Sequence, residues 1–143
     1  MFEIQARLHA MMPANESELR LRPGPAAPSL ARAAITAAAF GLPAAVAADA
    51  ELLTSEVVSN AVRHANLDPS QEIVLRIVSD GYVRVEVADP GPPFEAKRRR
   101  RGSGSSGWGL FLVDALATSW GVEPEGAGKK VWFELDAGLE RAT

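Results

Sequence analysis

The sequence of 143 residues contains no cysteine, only two histidines and no long apolar run. The absence of cysteine excludes disulfide bonds, thiolate metal sites and cysteine nucleophiles. His9 and His64 lie far apart in the chain, so a histidine-rich metal site is not expected. No apolar stretch reaches the ~18 residues of a membrane-spanning helix, and residues 1–12 lack the apolar centre of a signal peptide. We therefore expect a cytoplasmic protein that does not contact a membrane.

The composition is that of one folded domain with an acidic surface. Hydrophobic residues make up 47% of the chain, which is enough for a core. The net charge is −3, and removing the five positive charges of Lys97–Arg101 would leave the rest of the chain at −8. A nucleic-acid-binding domain usually spreads its positive charge over a face. We therefore expect no direct contact with nucleic acid.

The first half of the sequence predicts two short strands followed by two helices. Polar and apolar residues alternate over residues 2–8 and again over residues 17–22, where we expect an edge strand. Ser29 is a candidate cap for a helix that ends near Phe40, and Gly41 suits the left-handed position after it. A second helix is expected from Pro43 to about residue 65.

The second half of the sequence predicts two hairpins separated by a glycine-rich segment and a helix. Residues 72–78 and 82–88 are rich in β-branched residues and are joined by an Asp-Gly turn. A helix is expected from Gly109 to about residue 118, followed by strands at residues 120–122 and 130–135. The order of elements predicts an α+β fold, a two-layer sandwich with a mixed, largely antiparallel sheet and helices on one face.

Polar residues recur along one side of the second predicted helix. Glu56 and Asn60 are four residues apart, which places them about 6 Å apart along the helix axis, and His64 continues the row. A carboxylate, a carboxamide and an imidazole in line can bind a metal ion and a phosphate. A solvated helix face is the alternative, and it is the more common meaning of such a pattern when the helix is taken alone.

Two glycine-containing motifs follow in the second half of the chain. Asp89 stands directly after a predicted strand, and Gly91 would allow backbone to pass close to a ligand, although Asp-Pro-Gly is also an ordinary turn. Gly107, Trp108, Gly109 and Leu110 open a predicted helix, whose first N–H groups can bind an anion. A flexible hinge is the alternative for this second motif.

In this order, Glu-x3-Asn, Asp-x-Gly and Gly-x-Gly-Leu resemble the N box and the two glycine boxes of the gyrase, histidine-kinase and mismatch-repair ATPase superfamily. Within it, the chain is similar to the small anti-sigma-factor type of serine protein kinase and its stand-alone actinobacterial relatives. The resemblance covers residues 17–136, with a lid at 91–107, and leaves 1–16 as an N-terminal extension and 137–143 as a tail. It is carried by four stretches: 55–64, 85–90, 107–116 and 128–135.

The resemblance implies an ATP site that uses Mg²⁺. Asp89 would accept a hydrogen bond from the adenine amine, with Gly91 close to the base. Asn60 would bind Mg²⁺ through its side-chain oxygen, and Glu56 would be the general base. The implied phosphate-binding residues are Gly107, Trp108, Gly109 and Leu110, together with His64, which either contacts phosphate or packs. The basic run at 97–101 would reach phosphates, bind a partner or remain solvated.

Two positions depart from the pattern of the superfamily. Pro93 stands where the first glycine box often has a second glycine, and Lys130 stands where a threonine commonly lies near the adenine-binding aspartate. The resemblance implies a serine/threonine kinase that phosphorylates an antagonist protein and sequesters a sigma factor. The alternatives are an ATP-dependent protein-binding switch without phosphoryl transfer and a degenerate fold that binds no nucleotide. Homodimer formation stays open.

Overall fold

The computed structural model of the chain describes residues 6–8, 15–39, 41–64, 67–91 and 108–136. These residues form six strands and three helices. In chain order they are β1 (Ala6–Leu8), β2 (Glu16–Leu21), α1 (Ala27–Ala38), α2 (Ala44–His64), β3 (Ile73–Ser79), β4 (Tyr82–Asp89), α3 (Trp108–Leu116), β5 (Ser119–Glu125) and β6 (Gly128–Asp136).

The strands form one sheet in the order β1-β2-β3-β4-β6-β5. Every pair of neighbours within the described residues is antiparallel. The predicted α+β fold is confirmed. The edge position predicted for β2 is wrong, because β1 pairs with it on the side away from β3. Four residues of the segment that we assigned to an N-terminal extension, Ala6–Leu8 and Glu16, therefore belong to the sheet.

Helix α1 begins earlier than the sequence predicts. Its N-cap is Ala26, which makes no side-chain capping bond, and Pro28 stands in the first turn, where its fixed φ suits a helix. Ser29 is not the cap, since it stands within the first turn of the helix and its exposed hydroxyl donates to the carbonyl oxygen of Ala26 at 3.5 Å. Gly41 has a φ of 90°, so the predicted left-handed residue after the helix is confirmed.

Helices α1 and α2 pack together on one face of the sheet and enclose the core. Helix α2 contributes Leu53, Val57, Val58 and Ala61, at the spacing of one helical face. Strand β4 contributes every second residue, and its three buried valines at 83, 85 and 87 face the helices. Phe133 of β6 is fully buried among them. The helical period of α2 and the two-residue period of β4 thus determine which of their side chains are buried in the core.

The other face of the sheet carries paired charges. Arg84 donates to Glu86 at 2.9 Å and to Glu134 at 2.8 Å, and its guanidinium carbon lies 4.3 Å from the ring centroid of Trp132. Arg84 and Glu86 are half-buried on this face, where Arg84 pairs with Glu86 along β4 and with Glu134 across to β6. Within the described part of the chain, no helix has the length and apolarity needed to cross a membrane.

Candidate functional site

The site is built around Asp89, the last residue of β4. Its side chain continues the inward series of the three buried valines and is only 2% exposed. Its Oδ1 atom accepts a hydrogen bond from the backbone N–H of Gly91 at 2.7 Å, which closes a turn over Pro90. Of the predicted site residues, Asp89 and Gly91 are therefore brought into direct contact. The turn holds the carboxylate at the end of the sheet.

A second charged residue, which sequence reasoning missed, contacts Asp89. Lys129 lies opposite Asp89 in the β4–β6 register, and its Nζ atom lies 2.9 Å from Oδ1 of Asp89. The two side chains are 9% and 2% exposed, so this is a buried ion pair. The carboxylate at the end of β4 is thus paired with an ammonium group.

The assignment of Lys130 to the position beside the aspartate is wrong by one residue. Successive side chains of a strand point to opposite faces, so Lys130 lies on the outer face while Lys129 lies on the inner one. The Nζ atom of Lys130 is 3.6–3.8 Å from the carboxylates of Glu86, Glu123 and Glu125. The register of a strand determines which of two adjacent lysines enters the site.

Gly128 allows β6 to begin directly beside the end of β4. A Cβ atom at this position would lie 2.1 Å from the carbonyl oxygen of Asp89 and 2.7 Å from Cα of Pro90. Both are backbone atoms, which cannot move out of the way by a change of rotamer. Only glycine therefore fits at position 128 without a backbone shift. The stretch Gly128-Lys129 therefore works as a unit, in which the glycine permits the close approach and the lysine makes the contact.

The row predicted on α2 is present, and its members differ in what they contact. Glu56 and Asn60 are both half-buried. The Oδ1 atom of Asn60 accepts a hydrogen bond from Nη2 of Arg63 at 3.0 Å, while no described residue donates to the carboxylate of Glu56. His64 is the last residue of α2, and its side chain lies outside the described part of the structure.

Helix α2 lies on the same side of the sheet as Asp89. It packs against β4 and β6, the two strands that carry Asp89 and Lys129, and against α3. The helix that carries the predicted row therefore packs directly against the two strands that carry Asp89 and Lys129. No described group of three acidic or histidine side chains could hold a metal ion, so a cation here would depend on Asn60 and on oxygens of a ligand.

Trp108, Gly109 and Leu110 are the first three residues of α3. The first N–H groups of a helix have no partner within the helix, which makes this end suitable for an anion. Leu110 packs against the core, and the Nε1 atom of Trp120 in β5 donates to Oδ1 of Asp114 at 2.8 Å. These contacts fix α3 to the sheet.

Several predicted features lie outside the described residues. They are Gly107, Pro93, the basic run at 97–101, the tail at 137–143 and the lid at 91–107 apart from Gly91.

Comparison with known proteins identifies a match over most of the chain. The family described as "Histidine kinase-like ATPase domain" matches residues 21–135. The uncharacterized protein SCO4941 of Streptomyces coelicolor is 32% identical over 82 residues, which cover 56% of this chain and 78% of that protein.

Two solved structures have a similar fold. The structure of the RsbU and RsbW domains of Rv1364c from Mycobacterium tuberculosis has a TM-score of 0.62 at 23% identity, over 82% of this chain. The blue-light activated histidine kinase EL346 of Erythrobacter litoralis has a TM-score of 0.56 at 24% identity, over 86% of this chain. The chain spans 32% of the length of the first and 44% of the second, so the likeness concerns one domain of each.

Proposed function

Since the chain belongs to the histidine kinase-like ATPase domain family, we propose that it binds Mg·ATP at the end of the sheet and uses it to regulate a protein partner. The observation that carries this proposal is the placement of Asp89. It is a buried carboxylate at the end of a strand, held by the N–H of Gly91, on the side of the sheet where α2 and α3 meet. The family and this geometry support the same site.

The adenine base of ATP would be bound by Asp89. A carboxylate is an acceptor-only group, and the exocyclic amine of adenine is a donor. The bond from Gly91 occupies Oδ1, and no described residue donates to Oδ2, which leaves an acceptor in place for the base. Gly91 has no side chain, which allows a ligand to approach the turn closely.

The residues present fit a magnesium ion that is bound mainly through the nucleotide. Mg²⁺ prefers oxygen ligands and is usually bound by one or two protein oxygens together with substrate phosphates. Asn60 offers one such oxygen, and its bond to Arg63 is an exposed one that a stronger ligand can displace. The ion would neutralise charge that develops on the transferred phosphoryl group.

In the proposed mechanism the protein mainly positions the serine hydroxyl of the substrate and the phosphates of ATP. Glu56 lies one helical turn before Asn60. From there its carboxylate would accept the proton of the substrate's serine hydroxyl, or orient that hydroxyl for attack on the γ-phosphate of ATP. The N–H groups at the start of α3 would bind the phosphates, with Gly109 offering no side chain to obstruct them. The partner proteins we propose are an anti-sigma antagonist as the substrate and a sigma factor as the sequestered protein.

Mg·ATP is expected to raise the melting temperature of the protein. At about 100 times its dissociation constant, a ligand stabilises the folded state by ~2.7 kcal/mol, which is a shift of several degrees at this chain length. The variant Asp89→Asn should lose the shift, since the amide offers the base a weaker, partly donating partner. Scanning calorimetry of each protein with and without Mg·ATP measures this, with each variant compared with its own ligand-free form. A full shift in Asp89→Asn would contradict the proposal.

Glu56→Gln is expected to bind Mg·ATP as the wild type does and to lose at least about a hundredfold in phosphoryl transfer, since general acid–base catalysis contributes roughly 10²–10⁴-fold. Each protein is incubated with labelled ATP and the antagonist encoded nearest to it. A serine of the antagonist should be labelled by the wild type and not by Glu56→Gln.

The half-buried position of Glu56 without a described hydrogen-bond donor favours this role over a structural one. If the antagonist binds tightly in the presence of ATP but is not labelled, and Glu56→Gln binds it equally well, the protein is a switch and not a kinase.

A further inference from the structure

The pair of Asp89 and Lys129 places a hydrogen-bond donor beside an acceptor at the end of the sheet. The two charged groups are 2.9 Å apart and nearly enclosed. Oδ1 accepts both hydrogen bonds that described residues make to the carboxylate, from Lys129 and from Gly91, so Oδ2 remains an acceptor. An ammonium group has three N–H donors, so Lys129 can bind more than one acceptor. Whatever binds to Asp89 therefore also meets a cation.

The two kinds of purine differ at the edge that such a pair would contact. Adenine has an amine at position 6 and an acceptor at N1. Hypoxanthine and guanine have a carbonyl oxygen at position 6 and an N–H at N1, so their pattern is reversed. A carboxylate alone can bind the amine and repels the carbonyl oxygen. A carboxylate with an ammonium beside it can bind either edge, because the ammonium donates to the carbonyl oxygen while the carboxylate accepts from N1–H.

We propose that Lys129 determines the base selectivity of the nucleotide site, and that it admits 6-oxo-purine triphosphates as well as ATP. The inference rests on the nucleotide binding proposed above and extends it to a wider class of ligand. Lys129 reaches this position because β6 begins against β4 at Gly128, which sets the register that turns Lys129 inward. Lys130, next to it, points to the outer face and has no part in the selectivity.

Inosine triphosphate is the appropriate probe, because its base differs from adenine only at position 6 and the proton on N1. Calorimetric titration of the wild type with Mg·ATP and with Mg·ITP should give dissociation constants within about tenfold of each other. A site that has only the acceptor rejects a ligand with the wrong hydrogen-bonding pattern by at least about a hundredfold. A wild type that binds ITP more than a hundredfold more weakly than ATP would overturn the inference.

Lys129→Met removes the donor and keeps much of the side-chain length, and Lys130→Met is its matched control. The affinity for ITP relative to ATP should fall at least tenfold in Lys129→Met and stay unchanged in Lys130→Met. An unchanged ratio in Lys129→Met, or an equal fall in both variants, would overturn the inference. If Lys129→Met does not fold, the ratio in the wild type decides.

The two proposals fail in different ways. Binding of ATP without ITP overturns the assignment of Lys129 alone. Binding of neither nucleotide overturns the proposed ATP site and the selectivity together.

Discussion

Replacing Lys129 by methionine is expected to lower the free energy of unfolding by about 3–5 kcal/mol, since it leaves a buried carboxylate without its counter-charge. Asp89 is only 2% exposed, so water cannot replace the lost ammonium without a rearrangement of the strand ends. The bond from the N–H of Gly91 remains and offsets a small part of the loss. Urea denaturation followed by circular dichroism measures the change.

Lys130→Met is the control for this experiment, and it should change the free energy of unfolding by less than about 1 kcal/mol. Its nitrogen lies 3.6–3.8 Å from three carboxylates, two of which are more than half exposed. The double variant Asp89→Asn/Lys129→Met should recover most of the stability, because no unpaired charge remains buried. Equal losses in the two lysine variants would show that the Asp89–Lys129 pair contributes no more than a surface charge.

Gly128→Ala is expected to destabilise the protein by at least about 3 kcal/mol, the upper end of the usual cost of overpacking. The new Cβ atom would lie 2.1 Å from the carbonyl oxygen of Asp89, and a backbone atom cannot be moved without shifting β4 or β6. Such a shift also separates Lys129 from Asp89, so the melting-temperature shift with Mg·ATP should become smaller in the same variant. Urea denaturation and calorimetry measure the two effects.

Gly24→Ala is the matched control for Gly128→Ala, because a Cβ atom at position 24 meets nothing within 4 Å. Its free energy of unfolding should stay within about 1 kcal/mol of that of the wild type, and a small increase is expected where alanine restricts the unfolded chain. A Gly128→Ala variant as stable as Gly24→Ala would mean that the ends of the two strands are not held as closely as the structure describes.

The sequence predicts most of the fold because each element has a clear period and a clear end. The β-branched residues of β4 and the Asp-Gly turn before Tyr82 are local signals, and the structure confirms both. The position of Asp89 at a strand end is predictable for the same reason, since Asp89 follows a run of β-branched residues and precedes Pro90-Gly91. Local chemistry is sufficient for these features.

Two of the errors come from features that depend on distant parts of the chain, and the third, the start of α1, comes from the first turn of the helix itself. The edge position of β2 depends on whether β1 pairs with it, and a three-residue strand gives a weak signal. Which of Lys129 and Lys130 faces Asp89 depends on the register of β6 against β4. A shift of one residue would exchange the two lysines between the inner and outer faces. The start of α1 depends on Pro28, whose fixed φ allows the helix to begin before the serine that we expected to cap it.

The sheet order has a consequence for the assembly of the protein during synthesis. Strand β6 lies between β4 and the edge strand β5, so the last of the described strands in the sequence fills an internal position of the sheet. The contact between Asp89 and Lys129 spans 40 positions, and such distant pairings form late in folding because a long loop must close first. A nascent chain that has emerged only as far as α3 therefore has Asp89 without its lysine, and we expect the proposed nucleotide site to form only once β6 has been added.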